Sequence, residues 1–260
     1  MPMITVDDGC SINVKVEGRE GAPVLMLSNS LGTDLSMWDD QAGEFAKHFR
    51  LVRYDRRGHG ASSVPPGPYS MERLGRDVLA VLDALKIQKT NWCGLSMGGM
   101  VGQWLGANAP DRVEKLILSN TNFHYAEKTF WNDRIKAVQA NGLVPLVDAN
   151  MQRWFTEAFR NREPKVIDRM TAMFVKTDPK GFIGCCEAIR DMDFRAGNPT
   201  IKAPTLVIVG AQDVATPPAA GEAIAQQIPG AKVVSLDAAH IANVEQAKQY
   251  TETVLNFLRS

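Results

Sequence analysis

The period of apolar positions changes twice along this chain. Residues 11–17 alternate polar and apolar, which predicts a half-exposed strand. Short apolar runs at 24–27, 51–54, 91–95 and 113–118 predict further strands. Between them, residues 71–85 carry Leu74, Val78, Val81, Leu82 and Leu85 on one helical stripe, and residues 97–108 run helically up to Pro110. Strands separated by helices of this length predict βαβ units and a parallel sheet. From 122 the strand signal stops. Residues 127–140, 144–155, 164–175 and 179–190 read as successive helices with Pro or Gly at their edges. Strands return at 205–209 and 233–236, both read as apolar runs buried on two faces, and a helix over 244–258 closes the chain. The pattern predicts an α/β core domain over 1–121 and 196–260, with a helical cap insertion over 122–195 above the carboxyl edge of the sheet.

Composition narrows the function classes. The 260 residues are 45% hydrophobic, and 29 basic side chains balance 29 acidic ones. This excludes a disordered chain and gives no electrostatic pull towards nucleic acid or anionic lipid. A chain of this length buries roughly three quarters of its unfolded surface and needs no staples. Cys10, Cys93, Cys185 and Cys186 show neither a zinc spacing nor a disulfide framework. The opening MPMITVDDG lacks an export signal, and no apolar run reaches membrane-spanning length. A cytoplasmic protein with no nucleic-acid or membrane partner is expected.

Gly94-Leu95-Ser96-Met97-Gly98 is a G-x-S-x-G sequence. At Gly and Ser usage of about 7% each, a chain of this length shows one by chance about one time in ten, so context has to carry it. Here it follows an apolar strand and opens a helix, as a nucleophile elbow requires. A serine needs a base, and the hydrolase chain order is Ser, then Asp or Glu, then His. Of four histidines, His48 and His59 precede Ser96 and drop out. His124 has only Asp111 and Glu114 between it and the serine, both at the wrong end of their strand, and reads as a polar residue at the base of the insertion. His240 follows the strand at 233–236, and Asp213 follows the one before it. Ser96 as nucleophile, His240 as base and Asp213 as its orienting acid are therefore expected. The oxyanion donors should be the Met97 N–H and, from the loop 28–32, the Leu31 N–H.

These motifs resemble the α/β-hydrolases, and more narrowly the bacterial 3-oxoadipate enol-lactonases of aromatic catabolism. The residues carrying the resemblance are LSNSLGTDLSMWDDQ at 27–41, RYDRRGHGASS at 53–63 and NWCGLSMGGMVGQWLGANAPDRVEKLILSNT at 91–121. RWFTEAF at 153–159, GAQDVATPPA at 210–219 and DAAHIANVEQ at 237–246 extend it. Ser-Asn-Ser-Leu-Gly at 28–32, in place of the common His-Gly, is the restricted variant; RYDRRGHG is widespread in the superfamily and is expected to shape its loop.

The resemblance implies a carboxylic ester hydrolase that opens a small lactone bearing a free carboxylate, with no cofactor and no metal. That carboxylate calls for a cation in the cap: Arg134 is expected to bind it, with Trp131 and Trp154 walling the ring. Other ester, lactone or carbon–carbon bond hydrolases share the same core residues, and a slow hydrolase-fold receptor would too. Ser96 stands where haloalkane dehalogenases and epoxide hydrolases carry a nucleophilic aspartate, which disfavours both.

Overall fold

The structure is a computed structural model and describes residues 2–260. Eight strands form one sheet: β1 (Met3–Thr5), β2 (Ser11–Gly18), β3 (Val24–Ser28), β4 (Arg50–Tyr54), β5 (Thr90–Leu95), β6 (Val113–Ser119), β7 (Thr205–Gly210) and β8 (Lys232–Leu236). Their spatial order is β1-β2-β4-β3-β5-β6-β7-β8. The β1–β2 and β2–β4 pairs are antiparallel, and every other pair is parallel. As expected, this is the mostly parallel, helix-flanked sheet of an α/β-hydrolase. The six residues of β5 and the six of β7 are all buried, because helices cover both faces of the sheet there.

The helices are α1 (Asp39–Phe45), α2 (Met71–Ala84), α3 (Met97–Asn108), α4 (Thr129–Asn141), α5 (Val147–Trp154), α6 (Glu157–Arg162), α7 (Pro164–Lys176), α8 (Pro179–Asp191), α9 (Pro218–Gln227), α10 (Ala242–Glu245) and α11 (Ala247–Arg259). Ser70 caps α2 by accepting from the Arg73 N–H, and Leu74, Val78, Val81 and Leu82 turn inward. Helices α4 to α8 all lie between β6 and β7 in the chain. Their entry and exit segments pair with each other: the Phe194 N–H donates to Phe123 O at 2.9 Å, and His124 bridges Asp193. No helix among the described residues is long and apolar enough to cross a membrane.

Several expected elements need correction. β8 is an edge strand, and Val233 is 42% exposed rather than buried on two faces. The expected helix at 144–155 is a 3-10 turn, Val144–Leu146, followed by α5; Pro145 sets the turn. The closing helix breaks at Gln246, which separates α10 from α11. Strand β1 and helices α1, α6 and α9 had no visible signal. The first three are at most seven residues long, and α9 buries only Gly221 and Ile224, so no period develops.

The segment after β4 ties core and cap together. Arg57, 3% exposed, donates Nε and Nη2 to the two carboxylate oxygens of Asp77 on α2, at 2.5 and 2.6 Å. Gly58 lies so close to Gly181 of α8 that a Cβ on it would meet the Gly181 Cα at 2.5 Å. A bidentate pair this deeply buried is costly to break from one side. Asp77→Ala is expected to lower unfolding stability by about 3–5 kcal/mol in urea titration. A loss below about 1 kcal/mol would mean that Asp8, which also accepts from Arg57, is a sufficient partner by itself.

Candidate active site

The parallel strands end along one edge, and the candidate residues sit in the loops that leave it. Ser96 follows β5 directly and precedes α3, with φ 56° and ψ −114°. That is a strained conformation for a residue with a Cβ. The turn closes only because its neighbours lack side chains. A Cβ on Gly94 would stand 2.1 Å from Gly98 O, and one on Gly98 would stand 2.1 Å from Ser28 O. Three hydrogen bonds hold the turn: Ser96 N–H to Ser119 O at 2.8 Å, Gly98 N–H to Asn29 O at 3.0 Å, and Thr121 Oγ1 to Ser96 O at 2.7 Å.

The loop after β3 carries Leu31. Ser30 O accepts from Arg56 Nη1 at 2.7 Å and from Thr33 Oγ1 at 2.9 Å, and Arg56 Nη2 also donates to Asn29 O. In a trans peptide the carbonyl of Ser30 and the N–H of Leu31 point in opposite directions. Fixing the carbonyl on Arg56 therefore aims the Leu31 N–H away from it. Among the described residues, neither the Leu31 nor the Met97 N–H donates to a protein acceptor. Both are free to serve an incoming oxyanion. The next N–H, that of Gly32, donates to His59 Nε2 at 2.9 Å. Burial, reinforced by the positive charge of Arg56, holds the His59 imidazole neutral and lowers its pKa to about 3. Asp55 accepts the Leu35 and Ala61 N–H groups and the Asn13 amide. The RYDRRGHG segment is thus the scaffold of the Leu31 loop.

Asp213 is held by five donors. Oδ1 accepts from the Ala215 and Thr216 N–H groups at 2.7 and 2.9 Å. Oδ2 accepts from Thr216 Oγ1 at 2.7 Å, Asn120 Nδ2 at 3.0 Å and His240 Nδ1 at 2.8 Å. Burial alone would raise the Asp213 pKa. The His240 charge and these hydrogen bonds outweigh it and bring the carboxyl down to about 2. With Nδ1 bonded to Asp213, His240 has Nε2 left for a proton from Ser96. No hydrogen bond joins Ser96 and His240 among the described residues, and such contacts commonly tighten only around a substrate.

Ser96, Leu31, His240, Trp131, Arg134 and Trp154 all line one cavity of about 200 Å³. Met97 is fully buried beneath it. Trp131 and Trp154 are 8% and 4% exposed. Arg134 donates to Asn150 Oδ1 at 2.7 Å, and its guanidinium packs 5.2 Å from the Phe182 ring centroid. Among the described residues it pairs with no carboxylate, and its Nε is buried without a partner. Burial lowers its pKa. Among the described residues no group of three His, Cys, Asp or Glu side chains is arranged to hold a metal ion. His124 lies away from this cavity, 3.9 Å from Asp193.

Sequence reasoning missed three residues here. Asn120 directly follows β6 at φ 45°, a conformation asparagine tolerates, and aims its amide at Asp213 and at Ala239 O. Glu245, 7% exposed, accepts the Ala239 N–H at 2.9 Å and both the N–H and hydroxyl of Thr156. Nothing local marks that carboxylate as a bridge between the histidine loop and α6. Arg153 also lines the cavity, and its position beside Trp154 was the available clue.

An elbow serine at the carboxyl edge of such a sheet defines a hydrolase. The chain belongs to the α/β hydrolase fold family, which its residues 23–247 match. It is 39% identical over 244 residues to 3-oxoadipate enol-lactonase 2 of Acinetobacter baylyi, spanning 94% of this chain and 91% of that one. Identity to 3-oxoadipate enol-lactonase 1 of the same organism is 36% over 258 residues, spanning 99% and 97%. The crystal structure of the enol-lactonase from Burkholderia xenovorans LB400 matches with TM-score 0.97 and 45% identity, over 100% of both chains.

The buried neutral His59 makes stability depend on pH. Its pKa falls from 6.5 in the unfolded chain to about 3 in the folded one. Between those values only the unfolded state takes up the proton, so stability falls as pH drops through this window. His59→Gln removes that proton. The variant's stability is expected to fall less steeply than wild type between about pH 6.5 and 3, by up to about 1.4 kcal/mol per pH unit. Parallel urea-stability curves for the two proteins would show that the folded enzyme protonates His59 readily.

Proposed function

We propose that this enzyme hydrolyses 3-oxoadipate enol-lactone to 3-oxoadipate through an acyl-enzyme on Ser96, as a step in aromatic catabolism. The observation that carries the reading is one cavity lined by an elbow serine, a carboxylate-oriented histidine and an arginine without a counter-ion. The enol-lactonase names of its relatives support the substrate class.

Ser96 Oγ attacks the lactone carbonyl while His240 Nε2 takes its proton, and Asp213 stabilises the imidazolium. The tetrahedral oxyanion rests on the Leu31 and Met97 N–H groups. Collapse breaks the bond to the ring oxygen and releases an enolate, a far better leaving group than an alkoxide. The acyl chain stays attached to the serine, and the enolate takes the proton from His240 and becomes a ketone. His240, neutral again, takes a proton from the water that attacks the ester, and returns it to Ser96 Oγ as the acid is freed. Arg134 holds the carboxylate arm, and Trp131 and Trp154 confine the ring. Recognition of one carboxylate by a half-buried guanidinium is a local interaction that a charge-balanced chain cannot replace with a global field.

Ser96→Ala is expected to lower kcat for the enol-lactone by on the order of 10⁶ in a spectrophotometric assay. Wild-type kcat in that variant would end the assignment of the nucleophile. Arg134→Met is expected to raise KM for the carboxylated lactone about 10- to 100-fold. The same variant should leave KM for an uncharged lactone nearly unchanged; an equal rise for both would remove Arg134 from carboxylate binding. Faster wild-type turnover of p-nitrophenyl acetate than of the enol-lactone would point to a general esterase.

A further inference from the structure

Arg134 is not the only cation facing the cavity. Arg153 on α5 lines it too, half-buried, and among the described residues it forms no salt bridge and no hydrogen bond. Elsewhere a buried arginine is either neutralised, as Arg53 is by Glu17 and Asp39 and Arg57 by Asp77 and Asp8, or bonded to backbone carbonyls, as Arg56 is. The two cavity arginines share one ring instead. Their guanidinium carbons lie 5.9 and 4.6 Å from the centroid of Phe130, so two like charges are held near each other without an acid between them. Arg153 lowers the tendency of Arg134 to hold a proton, on top of burial. Arg153 adjoins Trp154, whose carbonyl accepts from the Ile241 N–H beside His240 at 3.0 Å, whereas Arg134 donates to Asn150. Arg153 is therefore the cation nearer the acyl-transfer end.

A ring-closed lactone with one carboxylate arm satisfies one of these cations. Hydrolysis changes the charge count, since the acyl carbon leaves as a second carboxylate. Two unneutralised cations match the ring-opened acid better than the lactone. We propose that the cavity is a dicarboxylate site, with Arg153 the second anchor, and that short linear dicarboxylates bind it as product-like inhibitors. This rests on the reading that Ser96 marks the acyl end of the site.

The test is equilibrium binding by calorimetry, which needs no turnover. Adipate is compared with adipamate, an isostere in which an uncharged amide replaces one carboxylate. Wild type is expected to bind adipate at least about tenfold more tightly than adipamate. Arg153→Met should abolish that preference and leave adipamate binding as in wild type, and Arg153→Lys should restore part of it. Equal wild-type affinity for the two ligands overturns the proposal, as does a preference that survives Arg153→Met. Because the wild-type comparison is decisive by itself, a variant that fails to fold does not rescue the idea. An enzyme that prefers adipate but leaves the enol-lactone intact would retain the dicarboxylate site and lose the proposed substrate. Rapid enol-lactone turnover without the preference would do the reverse.

Discussion

The turn at Ser96 is the constraint on which the other parts of the site depend. A non-glycine residue at φ 56° costs roughly 1–3 kcal/mol, and it persists only where the surroundings over-determine it. Here they do so by sharing hydrogen bonds with the loops that complete the site. The Ser96 N–H is satisfied by the last residue of β6, and the Gly98 N–H by Asn29 at the start of the Leu31 loop. The residue after Ser119 is Asn120, which holds Asp213, and the one after that is Thr121, which holds the Ser96 carbonyl. Strain at the serine, aim of the Leu31 N–H and placement of the acid are therefore settled by one network. A side chain on Gly94 or Gly98 would disturb all three together.

A second network works from below. Arg56 takes the Asn29 and Ser30 carbonyls, His59 takes the Gly32 N–H, and Asp55 takes the Leu35 N–H. Each is a buried polar group that would be expensive alone. Together they hold the backbone of the Leu31 loop, so an apolar residue suffices at the position where the free N–H is needed. His59 performs this task only as a neutral acceptor, which its burial enforces. It is a structural histidine, and it differs from His240 in that its ring meets the Cys185 thiol where that of His240 meets the Asp213 carboxylate.

What the sequence disclosed follows from the range of each signal. The sheet was legible because β5 and β7 are buried along their whole length and β6 over its last four residues, so their apolar residues cluster. The edge strand β8 also carries a short apolar run but buries only Leu236, so the same signal misplaced Val233. Ser96 was legible because the elbow is a local steric problem with a local solution in glycine. Asp213 and His240 came from chain order, a property of the fold rather than of their neighbours. Asn120 and Glu245 were not legible, since each acts on residues far away in the chain. Glu245 meets Thr156 across 89 positions, and Asn120 meets Asp213 across 93. The role of RYDRRGHG lay in between: its loop was expected, but which backbone groups it would hold was not.

The joint between α5, α6 and the histidine loop explains how recognition and chemistry stay in register. The Ile241 N–H donates to Trp154 O at 3.0 Å, one residue beyond His240 and one beyond Arg153. Glu245 fastens the Ala239 N–H on the other side of the histidine to the cap at Thr156. His240 is thus held on both flanks by the same short stretch of cap that carries Trp154 and Arg153. Arg134 joins this stretch through Asn150, one helical turn before Trp154. Moving the cap as a rigid lid would either break these bonds or carry the histidine loop with it. Two guanidiniums held in place by such ties are preorganised, so an anion that met both would bind with little rearrangement.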